Sequence, residues 1–168
     1  MKGPTSRQVA VHALTEIDGG SRANVVLAAL LEDQGKGLSQ RDRAFVTELV
    51  QGTTRMRRAL DHLFKPFVSR NLDRDVSAAL RLGAYQLFYL QTPPHAAVND
   101  TVEAAPRRAR GLVNAVLRKV VDVIDALPCT VVRVLCKHCC GFLLLCRGNC
   151  QHPRTWILFE FDALRRHS

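Results

Sequence analysis

From Ser6 to about Val120, apolar residues recur at helical spacing in segment after segment, and no stretch alternates as a strand would. Val9, Ala10, Ala13, Leu14 and Ile17 form one face, stopped by Gly19-Gly20. Val25, Val26, Ala29 and Leu30 form a second, ended by Gly35-Lys-Gly37. Ser39 is placed to cap a third helix carrying Ala44, Phe45, Leu49 and Val50, with Asp42 in its first turn. Gly52 and Thr53 separate it from a fourth helix bearing Met56, Leu60, Leu63, Phe64 and Phe67, which closes near Pro66. Asp73 or Asp75 opens a long helix that runs past Val76 to Phe88 and is broken by Pro93-Pro94. Two more follow, His95 to Ala105 and Arg110 to about Ile124, with Pro106 between them. Connections this short predict an all-α fold, a compact bundle of about seven helices with largely antiparallel neighbours.

A chain of 168 residues accommodates one ordinary domain and a tail. No apolar run approaches the roughly 18–20 residues that span a bilayer. The opening Met1-Lys-Gly-Pro-Thr-Ser-Arg7 lacks the apolar stretch of a secretory signal, so the expected location is the cytoplasm. A glycine-rich strand-to-helix turn is also missing, which removes the nucleotide-binding fingerprint. The net charge of +9 then favours an anionic partner, nucleic acid or an acidic membrane surface.

Eighteen Lys and Arg face twelve Asp and Glu within residues 1–122, and the cations are grouped. Lys2 and Arg7 flank the start of the first helix; Arg55, Arg57 and Arg58 follow Gly52; Arg107, Arg108, Arg110, Arg118 and Lys119 crowd the last two helices. Arginine suits phosphate because its planar fork donates two parallel hydrogen bonds. Arg81 lies four residues before Tyr85 on one helix face, either stacked over that ring at the surface or presented to phosphate. These eleven residues are the expected phosphate contacts, and no catalytic residue is expected. Aromatic residues are few, so a sheet-like platform that stacks bases one by one is not expected. His95, with no carboxylate or cysteine beside it, reads as structural, and Gly83 in mid-helix reads as a close helix–helix approach. Asn99 and Asn114 interrupt apolar stripes and are expected to be buried ties to neighbouring backbone.

All six cysteines fall between Cys129 and Cys150. This break sets the expected boundary: a helical RNA-binding domain over 1–124 and an irregular Cys-rich tail over 125–168. Three readings of the tail stand side by side. Cys136, Cys139, Cys146 and Cys150 have the residue types for a zinc site, although C-x-x-x-C spacing and the apolar Gly141-Phe-Leu-Leu-Leu145 between them fit it poorly. The others are a displaced reading frame never selected to fold, and a short interaction tail.

Three phrases carry a family resemblance: Leu80-Arg-Leu-Gly-Ala-Tyr-Gln-Leu87, His95-Ala-Ala-Val-Asn99 and Leu112-Val-Asn-Ala-Val-Leu-Arg-Lys-Val120. In order and spacing they resemble the NusB/RsmB family of helical RNA-binding domains, over about Ser6 to Asp122. Ser39-Gln-Arg-Asp-Arg-Ala-Phe-Val-Thr-Glu-Leu-Val50 and Gly52-Thr-Thr-Arg55 are closest to the branch that opens 16S ribosomal RNA 5-cytosine methyltransferases. The resemblance implies a NusB-like bundle that binds ribosomal RNA. In that branch a following domain binds S-adenosylmethionine and supplies two catalytic cysteines. Some 46 residues after Asp122 leave no room for it here, so the expectation is a non-enzymatic module without cofactor. Pro128-Cys129 is similar to a catalytic Pro-Cys, but without a cofactor domain it carries no chemistry. The alternatives are an antitermination factor that binds RNA with a ribosomal protein, and a non-catalytic subunit of a split methyltransferase. Ala105-Pro106 departs from the family, which usually continues its helix there.

Overall fold

The computed structural model describes residues 3–69 and 71–126, which hold seven α-helices, three short 3-10 turns and no strand. The helices are α1 (Ser6–Asp18), α2 (Ala23–Asp33), α3 (Gln40–Arg55), α4 (Arg57–Phe64), α5 (Arg74–Phe88), α6 (Pro94–Ala104) and α7 (Arg110–Ala126). Among the described residues, no helix is long and apolar enough to cross a membrane. Lys2, Pro128-Cys129 and the zinc candidates Cys136, Cys139, Cys146 and Cys150 lie outside the described residues.

Local sequence sets the helix ends. Thr5 and Gln8 form a reciprocal capping box that starts α1: the Gln8 amide donates to Thr5 Oγ1 and the Thr5 amide to Gln8 Oε1. Gly19 caps its far end, and Gly20 turns the chain at a φ of 108°, where a side chain would be strained. Ser39 caps α3 as its position predicts. Pro94 takes the first position of α6, where a missing N–H leaves no extra unpaired group.

Helix α5 is the axis of the bundle, and twelve of its fifteen residues are buried. Arg7 at the start of α1 meets Gln86 near the end of α5, while Asp18 at the end of α1 meets Arg81, so the two helices run antiparallel. Helix α7 runs parallel to α5, because Arg108 just ahead of it meets Asp73 and Asp75, and Leu117 meets Gly83. A Cβ on Gly83 would lie 2.6 Å from Leu117 Cδ1, which is the close approach expected of a glycine in mid-helix. Leu49, Leu60, Leu80, Leu82 and Leu117 are fully buried around this axis, each contributing about 1.5–3 kcal/mol through loss of water-exposed surface.

Three expectations are corrected. Gly52 does not end α3, which continues through it to Arg55; the missing side chain makes room for the Tyr85 ring. In α2 the buried residue is Leu27, and Val25 on the expected inner face is 60% exposed, since α2 packs only at the edge of α1 and α3. Asn99 is exposed, and the half-buried Asn114 accepts a bond from Arg118 one turn on instead of tying α7 to another helix.

Candidate nucleic-acid interface

The cations near the start of α5 come from stretches far apart in sequence. Arg57, at the start of α4, pairs with Asp18 at the end of α1 (3.1 Å). Arg108, in the 3-10 turn before α7, pairs with Asp73 (3.1 Å) and Asp75 (2.7 Å) at the start of α5. Arg74 opens α5 close to Gly19 at the end of α1. Arg57 thus lies by the end of α1 that meets Arg81, and Arg108 lies against the start of α5. Arg55, Arg58 and Arg107 are exposed and form no ion pair or hydrogen bond with another described residue.

Several expected phosphate ligands are already engaged. Arg108 is exposed, and its guanidinium is held above its ordinary pKa by bonds to Asp75 first and Asp73 second. Arg110 donates to the Glu103 and Ala105 carbonyls at 2.8 and 3.5 Å, closing the C-terminal end of α6. Arg118 donates to Asn114 (3.2 Å), and Lys119 sits 5.7 Å over the Phe67 ring. Arg7 lies at the other end of the bundle. It donates to Gln86 Oε1 (2.7 Å), pairs with Asp100 (3.0 Å) and covers the Phe45 ring, so a phosphate there competes with Asp100.

Arg81 leaves the set of candidate phosphate ligands. It is 9% exposed, neither stacked at the surface nor presented outward. Its Nε donates to Asp61 Oδ1 (2.6 Å), Nη2 to Asp61 Oδ2 (3.2 Å) and Nη1 to Asp18 Oδ2. Burial opposes its charge, but the two carboxylates outweigh it and hold the guanidinium above its ordinary pKa. A helical face read four residues at a time cannot reveal this, because Asp18 and Asp61 arrive from other helices.

Two further cations share an end with Arg7. Arg41 and Arg43 are exposed on the first turn of α3, which meets α1 through the Ser6 hydroxyl and Asp42 at 3.3 Å. The usable sequence signal is the Ser39 cap, which fixes where α3 begins. Among the described residues, no group of three or more His, Cys, Asp or Glu is placed to hold a metal ion.

The chain is 43% identical to ribosomal RNA small subunit methyltransferase B of Thermus thermophilus over 125 residues, which is 71% of this chain and 30% of that protein. It is 39% identical to the protein of the same name from Pseudomonas putida over 123 residues, 67% of this chain and 27% of the other. The chain therefore spans less than a third of the length of these relatives. Its fold matches a chain in a crystal structure of antitermination factors NusB and NusE in complex with double-stranded RNA. The TM-score is 0.65 at 22% identity, covering 70% of this chain and 94% of the other. The model of the NusB family matches residues 4–122, and the capped helices, the buried α5 axis and this match agree: the chain belongs to the NusB family.

Proposed function

We propose that residues 1–124 form an RNA-binding module, and that the chain corresponds to the N-terminal domain of a 16S ribosomal RNA 5-cytosine methyltransferase. In this reading it positions ribosomal RNA through phosphate contacts and contributes no reacting group. The observation that carries the reading is the match of the NusB family over residues 4–122, to which the exposed Arg55, Arg58 and Arg107 add cations open to phosphate. The methyltransferase relatives support the ribosomal RNA assignment, and the activity they are named for belongs to much longer chains.

Filter binding of ribosomal RNA fragments across a salt series tests this function. Affinity falls linearly on a log–log plot, with a slope of roughly −0.7 per phosphate contact for single strands and −0.9 for duplex. Absence of binding at low salt would sink the proposal.

A second reading is an antitermination-type factor that binds RNA together with a ribosomal protein. The structural neighbour solved with NusE and double-stranded RNA favours it. Capture of a ribosomal protein in stoichiometric amount would select it. A third, a non-catalytic subunit of a split methyltransferase, requires methyl transfer when a catalytic chain is added in trans.

A further inference from the structure

Next to the Arg81–Asp61 pair the fold leaves a groove of about 650 Å³ between α4, the turn after it and the first half of α5. Its size lies within the range that holds a small organic group. Phe64 and Leu72 supply apolar walls, and Ser77 and Asn71 add a hydroxyl and an amide. Arg81 and Asp61 also line it, and the Asp61 side chain is 34% exposed even though both oxygens accept from Arg81. A carboxylate has about four acceptor positions and a guanidinium five donors, so each retains capacity toward the groove.

The charge balance narrows the ligand. Arg81 and Asp61 balance each other within the lining, and behind them Asp18 and Arg57 form a second balanced pair, so this wall is neutral. It selects for neither phosphate nor ammonium. A flat neutral heterocycle fits it, with apolar faces against the walls and a donor–acceptor edge toward Asp61 and Arg81. The mouth has the opposite character. Lys65 lines the groove, and Arg58 lies exposed two helical turns before it on α4. Lys119 is held nearby over Phe67, in the same turn that begins at Lys65. A neutral ring inward and an anionic backbone along a cationic rim is the form of one nucleotide in a strand.

We propose that this groove receives a single unpaired nucleobase of bound RNA while the α4 cations hold its flanking phosphates. The proposal rests on the RNA-binding reading and adds a base contact to it. It also departs from the expectation drawn from the scarcity of aromatics, since a groove with one paired edge holds a base without a stacking platform.

The test compares an oligocytidylate with an abasic oligomer of equal length, measured by fluorescence anisotropy at low salt. Wild type is expected to bind the abasic strand at least tenfold more weakly, with the same salt slope for both. Ser77→Leu, which fills the groove, is expected to weaken oligocytidylate to a similar extent and to leave abasic binding unchanged. Equal affinity of wild type for the two strands overturns the proposal, as does a tenfold preference that survives in Ser77→Leu. The wild-type comparison stands by itself if that variant does not fold. Loss of the RNA-binding reading is distinguishable, because neither oligomer nor any ribosomal fragment would then bind.

Discussion

The Tyr85 ring occupies the space that a side chain at Gly52 would need: a Cβ there would stand 2.0 Å from Tyr85 Oη and 2.1 Å from Cζ. The same hydroxyl donates to Glu48 Oε1 at 2.7 Å, one helical turn before Gly52. Gly52→Ala must therefore push the ring away and break that bond. It is expected to destabilise the fold by about 1–3 kcal/mol, net of the better helix propensity of alanine. Urea unfolding measures it, and a double-mutant cycle with Tyr85→Leu gives the mechanism: the alanine should cost less once the ring is gone.

Arg81 neutralises two carboxylates from two other helices, and Asp18 is nearly as buried as Arg81 itself. Arg81→Met leaves Asp61 without its cation and Asp18 with Arg57 alone, and is expected to lower stability by about 3 kcal/mol, the lower end for a broken buried pair because Asp61 is partly wet and Asp18 keeps one partner. Arg81→Lys should recover only part of this, since an ammonium cannot serve Asp61 through two nitrogens while reaching Asp18. Thermal unfolding of the three proteins checks the order.

The exposed cations separate from the engaged ones in a salt series. Arg58→Ala and Arg107→Ala are each expected to reduce the log–log slope of RNA binding by roughly 0.7 for single strands, with unfolding unchanged. Arg7→Ala should behave differently, because Gln86, Asp100 and Phe45 all lose a partner. Its main effect is a loss of stability of about 1–3 kcal/mol. A full slope change from Arg7→Ala with unchanged stability would contradict this division.

The Ser39 hydroxyl donates to Asp42 Oδ2 at 2.7 Å and, against a smaller effect of burial, holds that carboxyl below its ordinary value of 3.8. A carboxyl depressed in the folded state stabilises the fold above its unfolded pKa, and the gain is lost as pH falls through the folded value. Ser39→Ala removes this bond together with the N-cap, which by itself is worth about 1 kcal/mol at neutral pH. The stability gap between wild type and variant is therefore expected to narrow as pH falls below 3.8. Urea midpoints at neutral pH and in acid give the two values.

Much of the helix layout was legible because local chemistry decides it. Ser39 with Asp42, Gly19-Gly20 and Pro93-Pro94 act on their own backbone neighbours, and they fall where the helices start and stop. Residues whose role is set by another helix were not legible. Gly52 has the look of a helix stop, yet its place is fixed by a ring thirty-three positions later. Arg81 has the period of a surface residue, and only the arrival of Asp18 and Asp61 makes its burial tolerable. The interface follows the same rule. Arg108 is visible in the sequence as one of a cluster, but its place against the start of α5 depends on the parallel run of α5 and α7.

The reach of α5 has a consequence for how the protein is made. Arg81 closes on Asp18 at a separation of 63 positions, and Gln86 on Arg7 at 79. A nascent chain emerges N-terminus first. The first four helices therefore leave the ribosome before the segment that pairs with Asp61 and covers their inner faces has been synthesised. Collapse around a finished core has to wait for the stretch Arg74–Phe88, and pausing translation just before it would expose an incomplete, adhesive bundle.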